Sequence, residues 1–190
     1  MAQRIPPTTL ADRDERTEEL LATMRRADGT DLNIFATLAH HPRLLKRWSA
    51  FGGTLLFRGR LPARDRELLI LRTAWRCKAK YEWGQHVLLA RDAGITDSEI
   101  ERIPGDEIAA DWGPRDQALL RAADELHERA VISDATWDML ADGYDYQQLI
   151  EVCMVVGQYH MVAFTLNSLG VELEPEPGLA RFPETPPEVR

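Results

Sequence analysis

No stretch of this chain alternates apolar and polar residues between turn signals, which is the pattern of a half-buried strand. Apolar residues recur instead every three to four positions, the period of an amphipathic helix. A chain with only that period folds as helices packed on helices. The sequence therefore predicts an all-α protein of about seven or eight helices with short connections.

The helical segments follow in order. "TLADRDERTEELLATMRRADG" opens polar and closes on Gly29, a glycine stop. "DLNIFATLAHHP" is a short helix ended by Pro42, and Pro42 then suits the first turn of "PRLLKRWSAFGGTLLFRG". Gly52 and Gly53 inside that helix mark close approach to another backbone. "LPARDRELLILRTAWRCKA" is apolar nearly all round through Leu68, Leu69, Ile70, Leu71, Ala74 and Trp75, so it is buried in a core or an interface. "YEWGQHVLLARDAG" ends at Gly94. "ITDSEIERI" has Thr96 three residues before Glu99, the spacing of a capping box. "GPRDQALLRAADELHERAV" is amphipathic, and "SDATWDMLADG" starts on a Ser133 or Asp134 cap. "DYQQLIEVCMVVGQYHMVAFTLNSLG" is the long last helix. Residues 171–190 are proline-rich and acidic and read as an extended tail.

The 190 residues fit one domain, residues 1–190. The net charge of -8 argues against nucleic acid, which needs a clustered basic excess. No run approaches the roughly 18 apolar residues of a membrane span, and the first residues hold no signal-length apolar core. A cytoplasmic location is expected. Cys77 and Cys153 form no disulfide framework. There is no Gly-rich phosphate loop after a strand, no Cys-x-x-Cys pair and no Gly-x-Ser-x-Gly elbow.

Glu82 and His86 are four apart on one helix and stack on one face. An exposed pair of this kind adds only about 0.3–0.5 kcal/mol, a weak reason for its place beside Tyr81 and Trp83. Partly buried, a carboxylate orients an imidazole and favours its charged form, and a histidine so held is a natural general acid or base. The plain alternative is a solvated ion pair or a satisfied core histidine.

"RDRELLILRTAWRC", "YEWGQHVLLARDAGIT" and "DYQQLIEVCMVVGQYHMV" with "LNSLGVE" behind it resemble the carboxymuconolactone decarboxylase family, which includes the alkylhydroperoxidase D-like proteins. The signature hairpin spans residues 64–103, with looser similarity from Asn33 to Glu172. The resemblance implies an alkylhydroperoxidase D-like helical bundle and homo-oligomers, commonly trimers or hexamers, with pockets near subunit contacts. The alkylhydroperoxidase-like members carry a Glu, eleven residues, Cys-x-x-Cys, three residues and a His. Laid here, the Glu falls on Glu67, the His on His86, and the two cysteines on Ala79 and Glu82. Neither thiol is present, so the site looks more like the decarboxylase branch.

That branch implies acid–base, lyase-type chemistry on a small carboxylated lactone. Carbon dioxide leaves, the electron pair delocalises into an unsaturated neighbour, and His86 returns a proton. Glu82 would hold His86, Glu67 would support it from the adjacent helix, and Arg72 or Arg76 would grip substrate carboxylates. Tyr81, Trp83 and His160 are candidate pocket-lining groups, although core or interface packing is the simpler reading of each. His127 reads as part of a solvated face. No cofactor and no metal site are expected. The competing readings are a peroxiredoxin-like antioxidant protein, in which Cys77 or Cys153 would be essential, and a non-catalytic helical oligomer. The expected partners are a small-molecule substrate and further copies of the chain.

Overall fold

The structure is a computed structural model and describes residues 2–105, 107–175 and 179–183. Among the described residues all regular structure is helical, with nine α-helices and a short 3-10 turn at Leu10–Asp12. The helices are α1 Glu15–Ala22, α2 Asn33–Leu38, α3 Pro42–Phe57, α4 Ala63–Arg76, α5 Lys80–Asp92, α6 Asp97–Ile100, α7 Pro114–Arg129, α8 Asp134–Ala141 and α9 Tyr146–Leu169. The count exceeds the expected seven or eight because α2 and α6 are only one or two turns long.

Local chemistry sets most boundaries. Thr96 and Glu99 form the capping box of α6, Ser133 caps α8 through the Thr136 amide, and Asp145 caps α9 with Gln148 as its box partner. Pro42 and Pro114 occupy first turns. One boundary differs from the sequence reading. Helix α1 stops at Ala22, because Thr23 turns its hydroxyl onto the Leu20 carbonyl. Gly29 lies further on, at φ 84°, in a separate turn.

Helix α4 is the centre of the molecule, packed against α5, α7 and α9. Leu68 to Leu71 are all fully buried. Each such side chain contributes about 1.5–3 kcal/mol by leaving water. Helices α7, α8 and α9 close one side of this core, and α1, α2 and α3 form a second apolar cluster around Leu21, Ala39 and Leu45. The turn from α4 to α5 takes only three residues, with Lys78 in the left-handed region at φ 53°. That short reversal lays α5 antiparallel along α4 and brings Glu67 opposite His86.

Helix α9 corrects an expectation. It is 24 residues long and, by length and composition alone, apolar enough to cross a membrane. About half of its apolar window is buried within the bundle, against α3, α4, α5 and α7, the place of a core helix.

The described part of the tail lies across its own chain. Phe182 stacks on Trp75 at 5.4 Å and meets the edge of Trp83 at 5.9 Å. Leu173 crosses α5 at Gly84, where a Cβ would come within 2.8 Å of it. Only a glycine lets the strand of tail pass so close. The remaining tail positions, 176–178 and 184–190, lie outside the described residues.

Candidate active site

His86 sits on α5 with its Nδ1 2.7 Å from Oε2 of Glu67 on α4. Glu67 is fully buried, and its other oxygen accepts from Nε of Arg66 at 3.0 Å. A carboxylate in this position accepts from an Nδ1–H, which leaves Nε2 of the imidazole as the atom that exchanges protons. The ring is also fixed edge-on by Tyr159, 4.8 Å between centroids. Glu67, not Glu82, therefore orients His86.

Glu82 is 1% exposed, and neither carboxyl oxygen has a hydrogen-bond partner among the described residues. The two side chains share a helix face, as their spacing requires, but they do not bond. Burial pushes the Glu82 carboxyl well above the ordinary carboxylate range. A protonated Glu82 is an O–H donor rather than a partner charge for His86.

Both groups open onto a cavity of about 510 Å³. Its polar lining includes Glu82, Gln85, His86, Tyr81 and Gln158, and its apolar walls come largely from α2 and α3, with Phe35, Trp48 and Leu56 among them. Arg25 is the cation on the wall, and it is already held by Asp31 at 2.8 Å and Glu18 at 2.6 Å. Tyr81 donates its hydroxyl to Glu174 of the tail at 2.8 Å, and Gln85 donates to the same carboxylate at 2.5 Å. Burial, with the Glu174 charge second, pushes the Tyr81 phenol up. The tail thus pins one wall of the cavity.

Four sequence candidates stand elsewhere. Arg72 is 1% exposed and makes two 2.7 Å bonds to Asp124 on α7, with further bonds to the Ile103 and Gly105 carbonyls. Arg76 makes two more bonds to Asp124, at 2.7 and 2.8 Å. Burial pushes the Asp124 carboxyl up, but the hydrogen bonds from Arg76 and Arg72 outweigh it and hold the group below its usual range. These arginines join α4 to α7 and do not grip a cavity ligand. Trp83 is buried against Phe182, on the face of α5 away from the His86 cavity. His160 is outside the cavity too. Its Nδ1 is 2.8 Å from the Val156 carbonyl, and its Nε2 is 2.9 Å from Nδ1 of His127.

Gln158 was not singled out from the sequence. It is 4% exposed, lines the cavity, and leaves its Oε1 without a partner among the described residues. A glutamine inside the apolar α9, opposite Gly52 of α3, was the available signal. The same contact gives Gly52 its close approach, a Cβ there falling 3.1 Å from Gln158, while Gly53 has open space above it.

The thiols are poorly suited to redox work. Burial pushes the Cys77 thiol up to about 12, and burial raises Cys153 as well.

Comparison with known proteins finds all-helical bundles of the same kind. Residues 42–125 match the carboxymuconolactone decarboxylase family. No curated protein matches the sequence. Among solved structures, the chain is similar to an uncharacterized peroxidase-related protein with an alkylhydroperoxidase AhpD core from Ralstonia eutropha JMP134. That likeness has a TM-score of 0.80 and 19% identity and covers 91% of this chain and 93% of the other. A peroxidase-related protein from Silicibacter sp. TM1040 follows at 0.75, with 16% identity over 85% and 86% of the two chains. The debrominase Bmp8 in complex with 2,3,4-tribromopyrrole gives 0.75 and 14% identity, covering 92% of this chain and 94% of that one. At these identities the likeness is one of fold.

Proposed function

We propose that the chain is an enzyme that transfers protons on a small, weakly polar, unsaturated substrate bound in the His86 cavity. The observation that carries this reading is the 2.7 Å bond between buried Glu67 and His86, at the wall of a cavity that also holds the unpartnered carboxyl of Glu82. Glu67 fixes the ring, Nε2 of His86 gives or takes the proton, and protonated Glu82 donates a hydrogen bond to a developing oxyanion.

A carboxy-lyase reaction is compatible with these parts. The bond to the carboxylate breaks, the electron pair moves into the adjacent unsaturated system, and the charged His86 protonates the carbon. The substrate of the family's namesake fits less well, because Arg72 and Arg76 are committed to Asp124 and the walls are mainly apolar. A ring carrying one polar group suits the cavity better. The ring bound by the debrominase, a relative in fold, is of that kind.

Thiol-dependent peroxide reduction is the lesser reading, since Glu82 stands where the superfamily's second cysteine falls and the Cys77 thiol is pushed up. The test is a panel of small unsaturated lactones and ketones, with and without a carboxylate, run beside a hydroperoxide and dithiol assay. The expected result is turnover of a panel member that falls by about 10²–10⁴ in His86→Ala. Hydroperoxide consumption with no panel turnover would overturn the proposal.

A further inference from the structure

Outside the cavity lining, three side chains from three helices converge. Cys77 ends α4, His127 lies in the last turn of α7, and His160 is in the body of α9. The Cys77 sulfur is 3.9 Å from Nδ1 of His127, and that nitrogen is 2.9 Å from Nε2 of His160. All three ligand atoms fall within 4.8 Å of one another. We propose that Cys77, His127 and His160 form a binding site for a divalent transition-metal ion, zinc in the first instance, with a fourth position open to water or a small ligand.

The geometry is close to what such an ion requires. Zinc takes a thiolate at about 2.3 Å and an imidazole nitrogen at about 2.0–2.1 Å, which sets tetrahedral ligand atoms about 3.3–3.6 Å apart. The two short separations in the structure, 2.9 and 3.9 Å, lie on either side of that range, and the third is no more than 4.8 Å.

The surroundings resemble a metal site more than a chance cluster. Nδ1 of His160 donates to the Val156 carbonyl, which fixes the tautomer whose Nε2 lone pair faces Nδ1 of His127. Cys77 is held at its backbone from two directions. Its amide bonds to the Thr73 carbonyl, and its carbonyl accepts from Asn167 Nδ2 at 2.9 Å. Thiolate and imidazole together are a donor set for zinc and its neighbours in softness rather than for magnesium or calcium. His127 is exposed and the other two residues are half-buried, so an ion in solution reaches them. Arg76, the nearby cation, has its guanidinium turned onto Asp124. Among the described residues no fourth histidine, cysteine or carboxylate joins the group, which is the arrangement of three protein ligands and one open position.

The site is separate from the proton-transfer reading and is tested without it. The untagged full chain is stripped with a chelator and titrated with Zn²⁺ in competition with a chromogenic chelator. It is then loaded with Co²⁺ and examined by absorption. One ion per chain is expected, and the Co²⁺ form should show a thiolate-to-metal charge-transfer band. Cys77→Ser, His127→Ala and His160→Ala should each weaken zinc binding by about tenfold or more, while Cys153→Ser should not change it. Because His127 is exposed, its variant folds and reads the site without a packing defect. Absence of zinc binding, a Co²⁺ spectrum without the thiolate band, or unchanged affinity in any one of the three ligand variants would overturn the proposal.

Discussion

Glu82 shows how far residue spacing reaches. Four positions apart, Glu82 and His86 must share a helix face, and they do. Spacing does not say that they bond, because that depends on what the tertiary fold supplies to each. The hairpin supplies Glu67 to His86 and nothing to Glu82. Likewise, Arg72 and Arg76 share a face on α4, but their partner Asp124 is about fifty residues away and no local pattern points to it. The consequence for Glu82 is a pH-dependent cost. Its folded-state pKa is raised, so the stability tied to its protonated form is complete below about pH 4.5. That stability is lost progressively as pH rises toward the higher folded-state value. Glu82→Gln keeps the shape and removes the titration. Denaturant unfolding across pH 4–8 should show the variant gaining on the parent above pH 4.5, by up to about 1.4 kcal/mol per pH unit. A constant difference across that range would mean that Glu82 is not held neutral.

At the scale of elements, helix existence was legible throughout, because periodicity, prolines and caps act locally. What joins the helices was not. Besides apolar packing and the pairs Arg64–Asp116 and Arg115–Asp65, the α4–α7 contact holds one carboxylate, Asp124, that satisfies a fully buried arginine and a half-buried one. Removing it strands Arg72 in the core. Asp124→Asn should destabilise the chain by about 3–5 kcal/mol in chemical denaturation, while substitution of the exposed pair Arg91–Asp97 should change it by under about 1 kcal/mol. Comparable effects at the two sites would show that the clamp does not hold α4 to α7. Gly84 is the opposite case, a residue whose reason lies wholly outside its own helix. A glycine inside "YEWGQH" is visible in the sequence, but the tail that crosses it at Leu173 is ninety residues away.

For the whole molecule, the described part of the extended tail closes over α5 of the same chain. The case for oligomers rests on α9. This helix is apolar nearly all round, and the side left outside the bundle carries Ile150, Met154, Met161 and Phe164, all exposed. A helix with no polar face belongs in an interior, so we propose that a second copy covers this stripe. Light scattering should give a mass that is a multiple of 21.6 kDa, falling to one unit in an Ile150→Glu, Phe164→Glu double variant; a monomeric parent chain would contradict it. The fold needed only helical periodicity to be read, and the cavity needed the fold, since its walls come from α2, α3, α5 and α9. Its chemistry comes down to Nε2 of His86. The most direct measurement is the rate at which solvent deuterium enters carbon in a substrate drawn from the panel, compared between the parent chain and His86→Gln. The account predicts a loss of about 10²–10⁴ in the variant with substrate binding retained. A variant that exchanges deuterium at the parental rate would contradict it.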